Sequence, residues 1–131
     1  MPAAGRSAVM EAMSADVSRW ITADRPAAGT LRDLVDDGHR LGISALVLYE
    51  WWRGPRVKQD LSYQELLFPR DAAFGFGARE AAVAAELYRR LARPRHRAAD
   101  LAIAACALVQ GAALWTLNPQ DFKDITELEL V

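Results

Sequence analysis

Asp16, Glu50, Asp100 and Asp121 are the residues of this chain whose types and positions could do chemistry. Each lies just past a segment that reads as a short strand, or at the start of a helix, and in a parallel α/β sheet ligands gather beyond the carboxyl ends of the strands. Four carboxylates brought together there would repel one another severely without cations among them, so their convergence implies a bound divalent metal. With one cysteine, Cys106, and two histidines, His39 and His96, the chain cannot assemble a Cys/His zinc site. Oxygen-only ligation favours hard ions such as magnesium or manganese. Magnesium held by a few carboxylates and several waters binds phosphates, activates a water and neutralises the charge that develops during in-line displacement at phosphorus. The implied reaction is phosphodiester hydrolysis.

Each acid also has a purely structural explanation. Asp16, in Ala15-Asp16-Val17-Ser18, could cap a helix that begins near Ser18. Glu50 is embedded in Leu46-Val47-Leu48-Tyr49-Glu50-Trp51-Trp52, where an unpaired carboxylate would suffer desolvation. Asp100 falls in the first turn of a helix, whose dipole favours it there and keeps it ionised. Asn118-Pro119-Gln120-Asp121 has the residue order of a helix start, with Asn as N-cap, Pro at N1 and Asp at N3.

The elements that must position these acids are delimited by glycine and proline. Leu31, Leu34 and Val35 give a helical spacing between Pro26 and His39. Arg40 to Ser44 reads as a strand. Ser44 then offers an N-cap for a helix over Ala45 to Arg53, which Gly54-Pro55 stops. Further helices are expected over Val57 to Phe68, over Gly77 to Ala92 with an apolar stripe of Val83, Leu87 and Leu91, and over Ala98 to Gln110, which is apolar almost all round and therefore buried. Strands are expected at Ala8 to Ala15, Ala112 to Leu117 and Glu127 to Val131, with one helical turn after Asn118. Short strands alternating with helices predict an α/β fold, a three-layer α/β/α sandwich around a short, mainly parallel sheet, formed by residues 1–131 as one domain.

The composition supports a folded, reducing-compartment protein. The chain has 131 residues, 52% apolar, and balances 16 Lys and Arg against 17 Asp and Glu. No apolar h-region opens the sequence and Leu101 to Val109 is too short to span a bilayer, so a cytoplasmic protein without membrane attachment is expected. The near-zero net charge conceals local clusters. Arg89, Arg90, Arg93, Arg95, His96 and Arg97 lead directly to Asp100, while Arg53, Arg56 and Lys58 follow Glu50. Arg89 and Arg90 fit a solvated helix end. Arg53, Arg56, Lys58, Arg95 and Arg97, beside the acids, suit a track for a phosphodiester backbone, since arginine grips phosphate bidentately. Tyr49, Trp51 and Trp52 could in part stack unpaired bases, although helical spacing sends only some of them to any one groove.

Three stretches carry a family resemblance. Ile43-Ser44-Ala45-Leu46-Val47-Leu48-Tyr49-Glu50-Trp51-Trp52-Arg53-Gly54, Asp100-Leu101-Ala102-Ile103-Ala104-Ala105 and Leu114-Trp115-Thr116-Leu117-Asn118-Pro119-Gln120-Asp121-Phe122 occur in an order and at spacings that resemble the PIN domains, and among these the VapC-type toxins of toxin-antitoxin pairs. The resemblance covers nearly the whole chain. It implies a metal-dependent ribonuclease with an acidic pocket of Asp16, Glu50, Asp100 and Asp121, supported by Ser18, Thr116 and Asn118. It further implies a homodimer inhibited by a small VapB-like antitoxin. The chain departs from the family pattern at its start. An ungapped alignment counted back from Arg25-Pro26 puts Met13 at the first acidic position, whereas Asp16 brings Ser18, Trp20 and Ile21 into register. With Met13 there, a PIN-like protein that binds RNA or an antitoxin without cutting is the alternative. A receiver domain fits less well, because Asp16 has no acidic neighbour and Lys123 lies past Phe122.

Overall fold

The computed structural model of the chain describes residues 7–10, 40–116 and 118–130. Within them three short strands, β1 (Ser7–Met10), β2 (Arg40–Ile43) and β3 (Ala113–Trp115), form one parallel sheet in the order β2-β1-β3. Met10 pairs with Ile43 on one side and with Trp115 on the other, so the last residues of β2 and β3 stand level across the sheet. Ser44 and Thr116 are the next residues along those two strands. This is the parallel α/β arrangement that strands alternating with helices require.

Four helices lie among the described residues: α1 (Ala45–Trp52), α2 (Lys58–Leu67), α3 (Ala78–Arg90) and α4 (Ala98–Gln110). Helix α1 starts where the strand stops because the Ser44 hydroxyl accepts a hydrogen bond from the Val47 amide at 3.2 Å, satisfying a donor that the helix itself cannot. Helix α3 starts at Gly77, whose amide donates to the Glu80 carboxylate at 2.9 Å. Helix α4 stops at Gly111, which adopts the left-handed conformation (φ 63°) that glycine takes without a Cβ penalty. The apolar character of α4 is explained by its position: Leu101, Ile103, Ala104, Ala105, Cys106 and Ala107 are all buried, and α3 is its main packing partner.

The core extends from α4 to Val47, Leu48 and Trp51 of α1, to Leu114 and Trp115 of β3, and to Phe122 and Ile125 behind the last 3-10 turn. One piece was not foreseen. Phe74, after a 3-10 turn at Arg70–Ala72, bridges Ser44 in parallel; its amide donates to the Ile43 carbonyl and its own carbonyl accepts from Ala45. Its ring passes so close to Gly42 that a Cβ there would sit 2.8 Å from Phe74 Cζ, which explains a glycine inside β2.

Two expectations are corrected. In place of a terminal strand from Glu127, the described tail makes a single parallel bridge between Leu114 and Leu130 and one bond from the Leu114 amide to the Glu129 carbonyl. A three-residue β3 has little edge left to pair. The 118–122 segment forms its 3-10 turn without side-chain capping from Asn118, whose carbonyl accepts from the Asp121 amide instead. The helix expected over Pro26 to His39, and the part of the expected first strand that follows Met10, lie outside the described residues. No helix among the described residues is long and apolar enough to cross a membrane.

Candidate active site

Glu50, Asp100 and Asp121 reach the carboxyl end of the sheet from three different elements. Glu50 comes from the second turn of α1, Asp100 from the first turn of α4, and Asp121 from the 3-10 turn Pro119–Phe122 that follows β3. They are close enough to sense one another. Burial pushes the Asp100 carboxyl above its ordinary range, and the negative charges of Asp121 and then Glu50 push it the same way, against a smaller opposing pull from Arg97. Half-burial and two like charges thus work against the helix dipole, which favours the ionised form by roughly 0.3–1 kcal/mol.

Glu50 is less isolated than its sequence neighbours suggested. Its side chain is 39% exposed, and a guanidinium nitrogen of Arg53, one turn later, stands 3.9 Å away. At about 100° per residue, Tyr49, Arg53 and Glu50 share the outer arc of α1, while Val47, Leu48 and Trp51 face the core. Trp51 is therefore a core residue, not a stacking platform, whereas Tyr49 and Trp52 remain exposed.

Thr116 and Asn118 are joined at the level where β3 ends, with the Asn118 amide donating to Thr116 Oγ1 at 3.0 Å. Arg97 has a different place from that expected of a backbone contact. Its guanidinium makes two bonds to the Asp124 carboxylate, at 2.8 and 2.7 Å, a third to the Asp121 carbonyl at 2.8 Å and a longer fourth to the Ala92 carbonyl at 3.3 Å. It thus fastens the turn that carries Asp121 to the start of α4, and its charge opposes those of Asp100 and Asp121. Arg95 and Lys58 are exposed, Arg56 is folded against Trp51, and Asp16 and Ser18 lie outside the described residues.

The donor set suits a hard divalent ion. It consists of oxygen alone, and the unfavourable ionisation of Asp100 is what a nearby cation would relieve. Among the described residues no three acids, histidines or cysteines are gathered tightly enough to hold an ion directly. Magnesium, which keeps several waters and takes one or two carboxylates, does not need such a cluster. The register also exposes a residue that the motif reading missed. Because Met10 stands level with the ends of β2 and β3, the first acid after β1 in the chain is Glu11, ahead of Asp16. The pattern of a strand followed at once by a carboxylate was the signal that could have found it.

The PIN domain family matches residues 16–128, and the chain belongs to that family. Among solved structures it is similar to a chain of the VapBC2 complex of Rickettsia felis bound to a promoter DNA fragment, at 20% identity over 95% of this chain and 97% of that one, with a TM-score of 0.67. It is also similar to a chain of VapBC-1 from nontypeable Haemophilus influenzae, at 19% identity over 95% and 96%, with a TM-score of 0.61. At these identities the likeness establishes the fold. No curated protein sequence matches.

Proposed function

We propose that this protein is a magnesium- or manganese-dependent endoribonuclease and the toxin of a toxin-antitoxin pair. PIN domains are in general nucleases that use a divalent metal. The reading is supported by three acids from separate elements, Glu50 after β2, Asp100 at the start of α4 and Asp121 after β3, near enough for the charges of Asp121 and Glu50 to act on Asp100. Glu50, Asp100 and Asp121, joined by Asp16 or Glu11, would hold the ion, which when bound supplies charge neutralisation at the phosphate and acidifies a water. Arg97 keeps the Asp121 turn in place, and the Thr116–Asn118 bond orders the chain between β3 and that turn. Thr116, Asn118 and Ser18 are assigned as polar support, and Arg53, Arg56, Lys58 and Arg95 as contacts to the RNA backbone. Likeness to chains of VapBC assemblies supports a VapB-like antitoxin as partner; a homodimer is proposed as the working form and the cytoplasm as its compartment.

The test is RNA cleavage in magnesium or manganese by wild type and by Asp100→Asn, with folding checked by circular dichroism. Activity confined to the wild type and abolished by chelation is expected. Equal degradation by both proteins means contamination and ends the proposal. A second reading, binding of RNA or antitoxin without cleavage, rests on the departure from the family pattern at the start of the chain, where an ungapped alignment puts Met13 at the first acidic position. Calorimetric titration of the wild type with manganese decides: binding that Asp100→Asn weakens supports the enzyme, and no heat supports the binder.

A further inference from the structure

Beside α1 lies a groove of about 270 Å³ lined by Trp52, Gly54, Arg56, Leu61 and Arg70. Its walls are held in place by buried polar bonds. The indole Nε1 of Trp52 donates to Gln64 Oε1 at 2.9 Å, and Gln64, itself fully buried, donates through Nε2 to the Phe68 carbonyl at 2.9 Å. Both guanidinium groups are anchored through Nε alone. Arg56 Nε donates to the Trp51 carbonyl and Arg70 Nε to Glu65 Oε1, each at 2.9 Å, and among the described residues their terminal nitrogens make no hydrogen bond. Arg70 is stacked 5.0 Å from the Trp52 ring and Arg56 4.8 Å from the Trp51 ring. The groove therefore presents two fixed guanidinium groups, that of Arg70 ion-paired with Glu65, around a Trp52 that is 38% exposed.

That combination has a chemical counterpart. Terminal guanidinium nitrogens that are not already bonded can bind phosphate bidentately, and an exposed indole can stack against a base. Sites that enclose whole small molecules run roughly 300–1,000 Å³, so this one takes a single planar group from a longer chain. On the wheel of α1, Trp52 lies about 60° to one side of Tyr49, with Arg53 and Glu50 about 40° and 100° to the other. Tyr49 is 60% exposed, and Arg53 stacks 5.4 Å from its ring. A continuous aromatic and cationic surface thus connects the groove to Glu50.

We infer that the groove is a subsite for one unpaired nucleotide of single-stranded RNA, at a distance from the scissile bond, with Arg56 and Arg70 on phosphate and Trp52 on the base. This inference rests on the ribonuclease reading. The probe is a fluorescent 2′-O-methyl oligoribonucleotide of unstructured sequence, titrated into full-length wild type, Arg70→Ala, Trp52→Ala and Arg79→Ala, with melting temperatures measured alongside. Binding about tenfold weaker in Arg70→Ala and Trp52→Ala, and unchanged in Arg79→Ala, is expected. Cleavage of a long single strand should lose affinity in KM with kcat retained, while cleavage of a dinucleotide substrate stays equal to wild type. If the wild type cuts RNA and both groove variants bind and cut as it does, the subsite is wrong and the ribonuclease reading stands. If the wild type neither binds nor cuts RNA, the ribonuclease reading fails first. If hexaglutamate displaces the oligonucleotide from wild type and loses affinity in parallel in the variants, the groove is a docking site for an acidic peptide and the inference is overturned.

Discussion

Replacing Arg97 by alanine is expected to loosen the turn that carries Asp121. The side chain is 17% exposed and Asp124 is 47% exposed, so the pair lies between a solvated and a buried one. An exposed pair contributes up to about 1 kcal/mol, and the bidentate geometry at 2.7 and 2.8 Å places this one at about that limit. The bond to the Asp121 carbonyl adds about 1 kcal/mol, and the covered alkyl stem about 0.5–1 kcal/mol. The sum is a loss of about 2.5–3 kcal/mol, or roughly 8–15 °C in melting temperature for a domain of this size. Thermal and urea unfolding followed by circular dichroism measure it. Asp124→Ala alone should lose less, since Arg97 keeps its carbonyl partner, and the double variant should reveal coupling of about 1 kcal/mol. A drop under about 2 °C, or strict additivity of the two substitutions, refutes the clamp. Arg97 also draws the Asp100 carboxyl downward, so its removal should move the acidic limb of the cleavage profile to higher pH. RNA affinity below both melting points should change less than about threefold, because the guanidinium is already engaged; a tenfold loss would return Arg97 to the set of phosphate contacts.

Three other outcomes are expected. The raised carboxyl of Asp100 contributes stability below its unfolded value and loses it as pH rises through the folded value, so without divalent ions Asp100→Asn should melt higher than wild type at neutral pH, with the gap closing below about pH 4. Excess manganese should then raise the wild-type melting temperature and leave the variant unchanged, as scanning fluorimetry would reveal. Gly42→Ala should cost about 1–3 kcal/mol in chemical denaturation, since its methyl overlaps the Phe74 ring, and Phe74→Leu in the same chain should recover part of it. Cleavage and manganese affinity of Glu11→Gln and Asp16→Asn should separate the two candidates for the acid after β1: the one whose loss abolishes both is the ligand, and loss of neither removes both assignments.

Much of the frame was readable because local rules and tertiary demands agree. Ala98 to Gln110 is apolar on all faces and ends in glycine, and it forms a buried helix over that same range. Ser44 stops a strand and caps a helix through one hydroxyl. Glu50 was misjudged for a correctable reason: its neighbours in sequence are apolar, but a helix distributes them by angle, and Glu50 falls on the outer arc with Arg53. Arg97 could not have been read locally. Its partner Asp124 is 27 residues away, and nothing in the run of arginines before Asp100 distinguishes the one that is paired.

Ion pairing within the fold also bears on where RNA would approach. The arginine run ahead of Asp100 was the densest basic stretch in the chain, yet Arg97 is engaged by Asp124 at 2.7 Å and Arg90 by Glu127 at 2.8 Å, so folding neutralises much of that run locally. On the α1 side the balance differs. Arg53 shares its charge with the half-exposed Glu50 and Arg70 with Glu65 at 2.9 Å, while Arg56, bonded through Nε to the Trp51 carbonyl, makes no ion pair among the described residues. A phosphate chain meets less competition at Arg56 than along the denser stretch, and salt sensitivity of binding should accordingly follow Arg56 more than Arg90 and Arg97.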